Sequence, residues 1–269
     1  MPVTHINGID LYYELHGPAR GAEERAPLVA VAGLASDSQS WATVMKPLSE
    51  HRRLVLFDNR GCGRTTPQDA PSSIDVMAGD CVALADHLGL EQFDLLGHSM
   101  GGFIALALAL EHPQRIRRLV LANTAASSSA RNDALFADWA TTLDAGMEPA
   151  LWFRNFFYWI FTPGFFAQPE VVAEALRLAI DYPYPQSPAG FRGQVAAMRG
   201  FDRRAGLADL RAPTLVLGGE RDLIFPPADV LADLLALPNA EAVIQPGQAH
   251  ALHVQDPAAF LAPVLRFLD

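Results

Sequence analysis

Short apolar runs recur along this chain of 269 residues, and stretches with helical periodicity separate them. A strand that is apolar throughout is buried on both faces, which is typical of a parallel sheet with helices on its two sides. The predicted strands are residues 27–33, 53–58, 93–97, 118–123, 214–218 and 242–245. The predicted helices between them are residues 73–90, 100–112 and 227–237. The pattern therefore predicts an α/β protein with a mostly parallel central sheet flanked by helices.

The two ends of the chain carry clear local signals. Asn7-Gly8 precedes an alternating segment at residues 9–13, and Asn-Gly accepts the positive φ pair of a type I′ turn, so an antiparallel hairpin is predicted. Near the other end, Asp256 is a suitable helix N-cap and Pro257 fits the first helical turn. The apolar residues that follow at helical spacing predict a final helix: Phe260, Leu261, Val264, Leu265 and Leu268.

Residues 126–210 have no strand pattern and several proline and glycine breaks, and they are too many for a loop in a compact domain. We expect a helical insertion that forms a cap, or lid, over the sheet. The predicted organisation is one core domain, residues 1–125 and 211–269, with the cap at residues 126–210. The insertion holds 15 of the chain's 24 aromatic residues, so it carries most of the large apolar side chains.

Charge and hydropathy exclude several classes of partner. Thirty acidic and 20 basic residues give a net charge of −10, which repels a phosphate backbone, so no nucleic-acid partner is predicted. The first residues lack the basic and apolar regions of a signal peptide. The longest clean apolar run, from Phe103 to Leu110, is too short to span a bilayer. These features predict a cytoplasmic protein with no membrane partner.

The strongest chemical signal is the pentapeptide Gly97-His98-Ser99-Met100-Gly101, which lies between a predicted strand and a predicted helix. A serine at such a turn must adopt a strained backbone, and its neighbours two positions away must be small so that other chain segments can approach. The N-terminus of the following helix favours negative charge. Ser99 is therefore the predicted nucleophile.

A serine hydroxyl needs a base, and the base needs an orienting acid. In the chain order nucleophile, acid, histidine, the acid follows a late strand and the histidine follows the last one. This order selects Asp222 as the acid and His250 as the base. Glu220 and His253 are the alternatives, since either carboxylate can hold an imidazole and the second histidine lies nearby.

The negative oxygen of an acyl-transfer intermediate must be held by backbone N–H groups. One donor is the amide of Met100, directly after the nucleophile, and the second should come from the loop after the first parallel strand, where Leu34 is the best candidate. The alternative is that Gly33-Leu34 forms an ordinary strand-end turn.

Neither a cofactor nor a metal ion is predicted. Cys62 and Cys81 lack a CxxC or zinc-like spacing and are expected to be free thiols, with catalysis by Cys62 as an alternative. His250 and His253 are three residues apart, but no carboxylate cluster accompanies them, so a metal site is disfavoured.

The segment from residue 151 to 161 is densely aromatic and would roof the pocket above the nucleophile. Trp152, Phe156 and Trp159 are the predicted pocket residues, with packing of the lid onto the sheet as the alternative. Arg154 is the only charged residue in the run and is a candidate anchor for a substrate carboxylate.

Four segments together resemble the α/β-hydrolase superfamily over essentially the whole chain. They are the serine turn at residues 97–102, the turn at residues 57–64, the Asp222 segment with Pro226, and the segment at residues 247–250. Residues 34–37 with Trp41, and residues 121–126, are similar to 3-oxoadipate enol-lactonases and to cofactor-free haloperoxidase-type esterases. The resemblance implies the hydrolase fold and a Ser-His-Asp triad.

Two positions distinguish this chain within the superfamily. Many relatives carry His-Gly before the oxyanion loop, whereas this chain has Ala32-Gly33, so a histidine that usually braces the loop is absent. Ser99 followed by Met100, rather than by tryptophan, disfavours the branches with an aspartate nucleophile, namely haloalkane dehalogenases and epoxide hydrolases.

The sequence therefore predicts a serine hydrolase that cleaves a small carboxylic ester or lactone through an acyl-enzyme. The same triad serves carbon–carbon bond hydrolases and cofactor-free haloperoxidases or perhydrolases, and the fold also hosts receptors that bind a ligand with little turnover. These alternatives, the physiological substrate and homo-oligomerisation are left open by the sequence.

Overall fold

A computed structural model describes residues 2–18 and 25–269 of the chain. Eight strands form one sheet: β1 (Val3–Ile6), β2 (Ile9–His16), β3 (Leu28–Val31), β4 (Leu54–Phe57), β5 (Phe93–His98), β6 (Ile116–Ala122), β7 (Thr214–Gly219) and β8 (Ala240–Gln245). Their spatial order is β1-β2-β4-β3-β5-β6-β7-β8. The pairs β1–β2 and β2–β4 are antiparallel and the other pairs are parallel. The predicted α/β class with a mostly parallel sheet is confirmed.

Helices connect the strands and cover both faces of the sheet. They are α1 (Ala42–Ser49), α2 (Ile74–His87), α3 (Met100–Glu111), α4 (Ala130–Asp144), α5 (Pro149–Ile160), α6 (Pro163–Phe166), α7 (Pro169–Ile180), α8 (Pro188–Met198), α9 (Pro227–Leu234), α10 (Leu252–Gln255) and α11 (Pro257–Leu268). Short 3₁₀ helices occupy Ser38–Trp41, Pro113–Arg115 and Arg204–Asp209. The 3₁₀ turn before α1, and α1 itself, are elements that the apolar pattern did not predict.

The hairpin predicted near the N-terminus and the helix predicted near the C-terminus are both confirmed. Asn7 and Gly8 have φ angles of 47° and 76°, as a type I′ turn requires, and they join β1 to β2. The side chain of Asp256 accepts a hydrogen bond from the amide of Ala259 (3.0 Å) and caps α11, with Pro257 in the first turn.

Alternation along β3 divides the core into two layers. Val29 and Val31 face the layer formed with α2, α3 and the helices between β6 and β7, whereas Leu28 and Ala30 face the layer formed with α1 and α11. Helix α3 is buried along almost its whole length, because it packs against the sheet, α2 and the segment after β6. The reactive turn at its N-terminus is therefore held by the most enclosed helix of the fold.

Helices α4 to α8 lie between β6 and β7, within residues 126–210, which we call the insertion. Its two ends lie side by side. The amide of Ser128 donates to the carbonyl of Phe201 (2.7 Å), and the amide of Arg203 donates to the carbonyl of Ala126 (2.9 Å). The insertion thus leaves and rejoins the sheet through one short antiparallel contact.

A buried charge pair joins the C-terminus to the start of β5. Arg52 is 2% exposed, and its guanidinium lies 3.6 Å from the carboxylate of Asp94. The same guanidinium donates to the carbonyl of Leu268 (3.4 Å) and to the carboxylate of Asp269 (2.9 Å). Burial raises the pKa of Asp94, and the nearby arginines oppose that rise. Ionised Asp94 therefore depends on its cationic neighbours.

We predict that Arg52→Ala lowers the free energy of unfolding by about 3 kcal/mol, because it leaves a buried carboxylate without its closest charge partner. The matched control is Arg177→Ala, which removes an exposed ion pair with Glu174 and should cost less than about 0.5 kcal/mol. Urea unfolding of both variants measures the two values. Equal effects of the two substitutions would contradict the assignment of Arg52 as a structural charge.

Candidate active site

The turn between β5 and α3 places Ser99 in a backbone conformation that L-residues rarely adopt, with φ 56° and ψ −121°. Neighbouring segments hold it there. The amide of Ser99 donates to the carbonyl of Ala122 at the end of β6 (3.0 Å), and the hydroxyl of Thr124 donates to the carbonyl of Ser99 (2.8 Å). The strained turn is thus fixed from the adjacent strand.

Glycines around Ser99 permit contacts that any side chain would block. A Cβ at Gly97 would lie 2.2 Å from the carbonyl oxygen of Gly101, and a Cβ at Gly101 would lie 2.1 Å from the carbonyl oxygen of Val31 in β3. A Cβ at Gly102 would lie 2.4 Å from the hydroxyl of Thr124. The small residues are therefore a steric requirement of this strand-to-helix turn.

His250 and Asp222 meet at the carboxyl ends of β8 and β7. His250 Nδ1 lies 2.9 Å from Asp222 Oδ2, and both side chains are buried. Asp222 Oδ1 also accepts hydrogen bonds from the amides of Ile224 (2.8 Å) and Phe225 (3.0 Å). Burial alone would raise the pKa of Asp222, but the charge of the imidazole and these hydrogen bonds hold it below its ordinary value. Asp222 is therefore an ionised acceptor for the imidazole N–H.

Asn123 is a fourth member of this constellation, and sequence reasoning gave it no role. Its side-chain amide donates to Asp222 Oδ2 (2.9 Å) and to the carbonyl of Ala249 (3.3 Å), directly before His250. Asn123 follows β6 with a φ of 47°. It fixes both the carboxylate and the segment that carries the imidazole. Its sequence signals were an asparagine at the end of a predicted strand and its place in residues 121–126, one of the segments that carry the family resemblance.

Ser99 and His250 line one cavity of about 90 Å³. Within the described residues the Ser99 hydroxyl makes no hydrogen bond to a protein group. Catalytic hydrogen bonds are often long or poorly aligned in ligand-free enzymes and tighten when substrate binds. The bulkiest apolar side chains of the wall come from the insertion and from the loop after β7: Phe136, Trp139, Phe156, Ile160, Phe161 and Ile224.

Of the four predicted pocket residues, the structure places only Phe156 in the cavity wall. Trp152 packs against Phe156 and Phe191 and donates its indole N–H to the carbonyl of Trp139 (3.0 Å), so it belongs to the packing of α4, α5 and α8. Trp159 makes an edge-to-face contact with Trp139, with 6.5 Å between the ring centroids, and its ring is 5.9 Å from the guanidinium of Arg131.

The structure does not place Arg154, the candidate anchor for a substrate carboxylate, in the wall of this cavity. Arg154 is exposed and lines a separate surface groove with residues of α7, such as Val172 and Leu176. The physical reason is helical geometry, since two residues advance the helix by about 200° and turn Arg154 away from the face of Phe156. Trp139 and Phe136 of α4 line the cavity instead.

The loop after β3 faces the cavity through Gly33 and Leu34. No hydrogen bond within residues 2–18 and 25–269 occupies the amide of Leu34 or that of Met100. Asn59 braces the loop, because its side-chain amide donates to the carbonyl of Ala32 (2.9 Å). A side chain from the turn after β4 thus supports the loop in this chain, where Ala32 replaces the histidine of many relatives.

The alternative catalytic residues lie elsewhere or are neutral. The carboxylate of Glu220 accepts a hydrogen bond from the amide of Gly247 (2.7 Å) and not from the imidazole of His250. His253 lines the cavity, but burial and the neighbouring His250 lower its pKa to about 3. Cys62 and Cys81 are buried free thiols whose pKa values burial raises, which disfavours a thiolate nucleophile.

His98 connects the serine turn to the loop that carries His250. It donates its Nε2–H to the carbonyl oxygen of His250 (3.0 Å), and the two rings lie 4.9 Å apart. Burial, with the neighbouring imidazoles of His253 and His250, holds the pKa of His98 well below its ordinary value. A neutral His98 therefore supports His250 through its backbone.

Two further features bear on the predicted partners. Among the described residues, no group of three or more histidine, cysteine or acidic side chains is arranged to hold a metal ion. In the same part of the chain, every helix is too short or too polar to cross a bilayer.

Comparison with known proteins agrees with this architecture. The model of the α/β hydrolase fold family matches residues 26–257. A protein from Caulobacter sp. strain K31 with the provisional name carbamate hydrolase RutD is 33% identical over 262 residues, which cover 96% of each chain. The crystal structure of the enol-lactonase from Burkholderia xenovorans LB400 has a TM-score of 0.88 and 27% identity, and covers 99% of both chains. A hydrolase from Pseudomonas aeruginosa PA01 has a TM-score of 0.88 and 28% identity, with 99% of this chain and 97% of the other covered.

We predict that Gly101→Ala destabilises the protein by about 3 kcal/mol or more, because its methyl group overlaps the backbone of β3. Gly79→Ala is the matched control, since that glycine lies within α2 and a Cβ there meets nothing within 4 Å. It should stabilise the protein by about 0.5–1 kcal/mol. Thermal unfolding compares the two variants, and a Gly101→Ala protein as stable as the wild type would refute the steric argument.

Proposed function

Because the chain belongs to the α/β-hydrolase family, we propose that it is a serine hydrolase that cleaves a small, uncharged carboxylic ester or lactone. The observation that carries the proposal is the buried Asp222–His250 pair, 2.9 Å between carboxylate and imidazole, which opens onto the same cavity as Ser99 at its strained turn. This is the arrangement that nucleophilic acyl transfer requires.

In the proposed mechanism, Ser99 attacks the substrate carbonyl while His250 accepts the hydroxyl proton and later returns it to the leaving alcohol. Asp222 holds the Nδ1–H of His250, so that Nε2 is the basic nitrogen, and stabilises the imidazolium that forms. The resulting acyl-enzyme is cleaved when His250 activates a water molecule in the second half of the reaction. The supporting groups are Asn123 on Asp222 and His98 on the backbone of His250.

Negative charge on the carbonyl oxygen would be held by the amides of Leu34 and Met100. Leu34 lines the cavity, and Met100 begins α3, whose N-terminal amides and dipole favour an anion. Two donors held in place in this way do not have to reorient when the negative charge develops. Such preorganised stabilisation of the transition state is usually the largest contribution to the rate enhancement.

The cavity lining supports an uncharged substrate. Its wall consists of apolar side chains, the hydroxyl-bearing residues Ser36, Ser40 and Ser99, and three imidazoles, two of which burial keeps neutral. A carboxylate placed there would lose its hydration without gaining a cation, and that transfer is costly. The volume of about 90 Å³ also supports a small acyl group.

Carbamate hydrolysis is the second candidate function. It is favoured by the small cavity and by the provisional name of the relative from Caulobacter, which matches this chain over nearly its whole length. A carbamate ester presents the same carbonyl to Ser99 in a compact, uncharged molecule with an alcohol leaving group, so the same residues would serve it. Ester, lactone and carbamate substrates therefore belong in one panel.

We predict that Ser99→Ala lowers kcat for 4-nitrophenyl acetate by about 10⁴-fold or more, because the nucleophile is lost. A fluorophosphonate probe should label the wild type and leave the variant unlabelled. Ser49→Ala is the control, since its hydroxyl only donates to the carbonyl of Lys46 in α1. Retention of most activity by Ser99→Ala would overturn the assignment of the nucleophile.

We predict that 4-nitrophenyl butanoate is cleaved with at least about 10-fold higher kcat/KM than the 4-nitrophenyl monoester of succinate, because burial of the free carboxylate costs more than 1 kcal/mol. The two acyl groups have the same number of chain carbons, and 4-nitrophenyl 4-methylpentanoate, whose branched end matches a carboxylate in size, controls for the added bulk. Equal or faster cleavage of the succinate ester would exclude an uncharged pocket. Faster cleavage of a 4-nitrophenyl carbamate than of both esters would favour the second candidate.

A further inference from the structure

The segment between α7 and α8, residues 181–187, which we call the strap, crosses the turns that follow β3 and β4. Gln186 donates its side-chain amide to the carbonyl of Gly61 (2.8 Å). The amide of Ser187 donates to the side-chain oxygen of Gln68 (2.6 Å), and Gln68 donates to the carbonyl of Pro185 (3.4 Å). The insertion is thus fastened to the sheet here by polar contacts, whereas aromatic side chains dominate its contacts around the cavity.

Tyr182 in the strap reaches the loop that carries the proposed oxyanion donor. Its hydroxyl donates to Asp37 Oδ2, and Asp37 is buried. Burial and the neighbouring carboxylate raise the pKa of Tyr182, so the phenol keeps the proton that it donates. Asp37 lies three residues after Leu34 in the chain.

Asp37 holds the loop through both its side-chain carboxylate and its backbone carbonyl. Its Oδ1 accepts the amide of Gln39 (2.9 Å), and its carbonyl accepts the hydroxyl of Ser40 (2.8 Å). Between Leu34 and Asp37 the chain passes through Ala35, whose φ of 58° is in the left-handed region. A loop with a strained residue keeps its conformation only while its surroundings over-determine it.

A second layer of contacts holds the far side of the same loop. Asp58 Oδ1 accepts the amide of Ser38 (3.0 Å), and Arg64 donates to both oxygens of Asp58. The guanidinium of Arg64 lies between the rings of Tyr12, at 3.8 Å, and Tyr184 of the strap, at 4.9 Å. The strap therefore contacts this loop network twice.

We propose that Tyr182 is a positioning residue for the reaction: through its hydrogen bond to Asp37, the strap holds residues 33–38 in the conformation that presents the Leu34 amide to the cavity. This inference rests on the proposed serine hydrolase function. It makes the completeness of the oxyanion site depend on a residue of the insertion that does not itself line the cavity.

The test is a double-mutant cycle with Tyr182→Phe and Asp37→Ala. Tyr182→Phe removes one hydroxyl and keeps the ring, and it should lower kcat for 4-nitrophenyl acetate about 10-fold with little change in KM, because a displaced oxyanion donor acts on the transition state. Tyr158→Phe is the matched control, since Tyr158 lies on α5 of the same insertion with its side chain exposed. It should leave kcat unchanged.

The cycle separates positioning from general structural loss. If Tyr182 acts through Asp37, then Tyr182→Phe has no further effect in the Asp37→Ala background. Independent effects that multiply in the double variant would overturn the proposal, and so would an unchanged kcat in Tyr182→Phe. A fall in unfolding temperature without a change in kcat would assign Tyr182 a purely structural role, which also overturns it.

Hydrogen exchange makes the test independent of turnover. In the intact protein, residues 33–38 should exchange faster in Tyr182→Phe than in the wild type or in Tyr158→Phe, with α2 and α3 unchanged. Unaltered exchange of this loop would overturn the inference. If the wild type cleaves no ester but residues 33–38 still exchange faster in Tyr182→Phe, the proposed function is refuted. The contact between the strap and the loop is then still shown to stabilise the loop.

Discussion

The first turn of α3 lies in direct backbone contact with the end of β3, and the geometry of the site depends on that contact. Only a glycine at position 101 lets the helix approach Val31 this closely. The approach brings the loop after β3 beside the helix N-terminus, while contacts from β6 and Thr124 hold Ser99 in its strained conformation. One steric constraint therefore places the proposed nucleophile beside both amides that are proposed to stabilise the oxyanion.

The parts of the site that depend on chain order could be predicted from the sequence. Ser99, Asp222 and His250 each follow a strand, and the carboxyl ends of parallel strands share one edge of a sheet. The apolar runs identified the strands, and this order placed the three residues at one edge of the sheet, where Asp222 contacts His250 and His250 shares a cavity with Ser99. The same reasoning placed the candidate oxyanion donor Leu34 in the loop after the first parallel strand, and the observed sheet sets β3 directly beside β5.

The parts that depend on side-chain direction could not be predicted in this way. Asn59 and Asn123 act on groups that are distant in the chain, and an asparagine after a strand is an ordinary turn residue. Helix α5 has aromatic residues on several sides, so their density indicated a lid without showing which ring faces the cavity. Trp139 was missed because α4 has only a weak apolar stripe.

The adjacent ends of the insertion have a consequence for the evolution of this fold. Because Ala126 and Ser128 pair directly with Arg203 and Phe201, the sheet presents two neighbouring attachment points rather than a wide gap. Segments of very different length and composition can be exchanged at these points without stretching β6 or β7. A change in the length or composition of residues 129–200 therefore leaves the spacing of β6 and β7, and the strand ends that carry the proposed catalytic residues, unaltered.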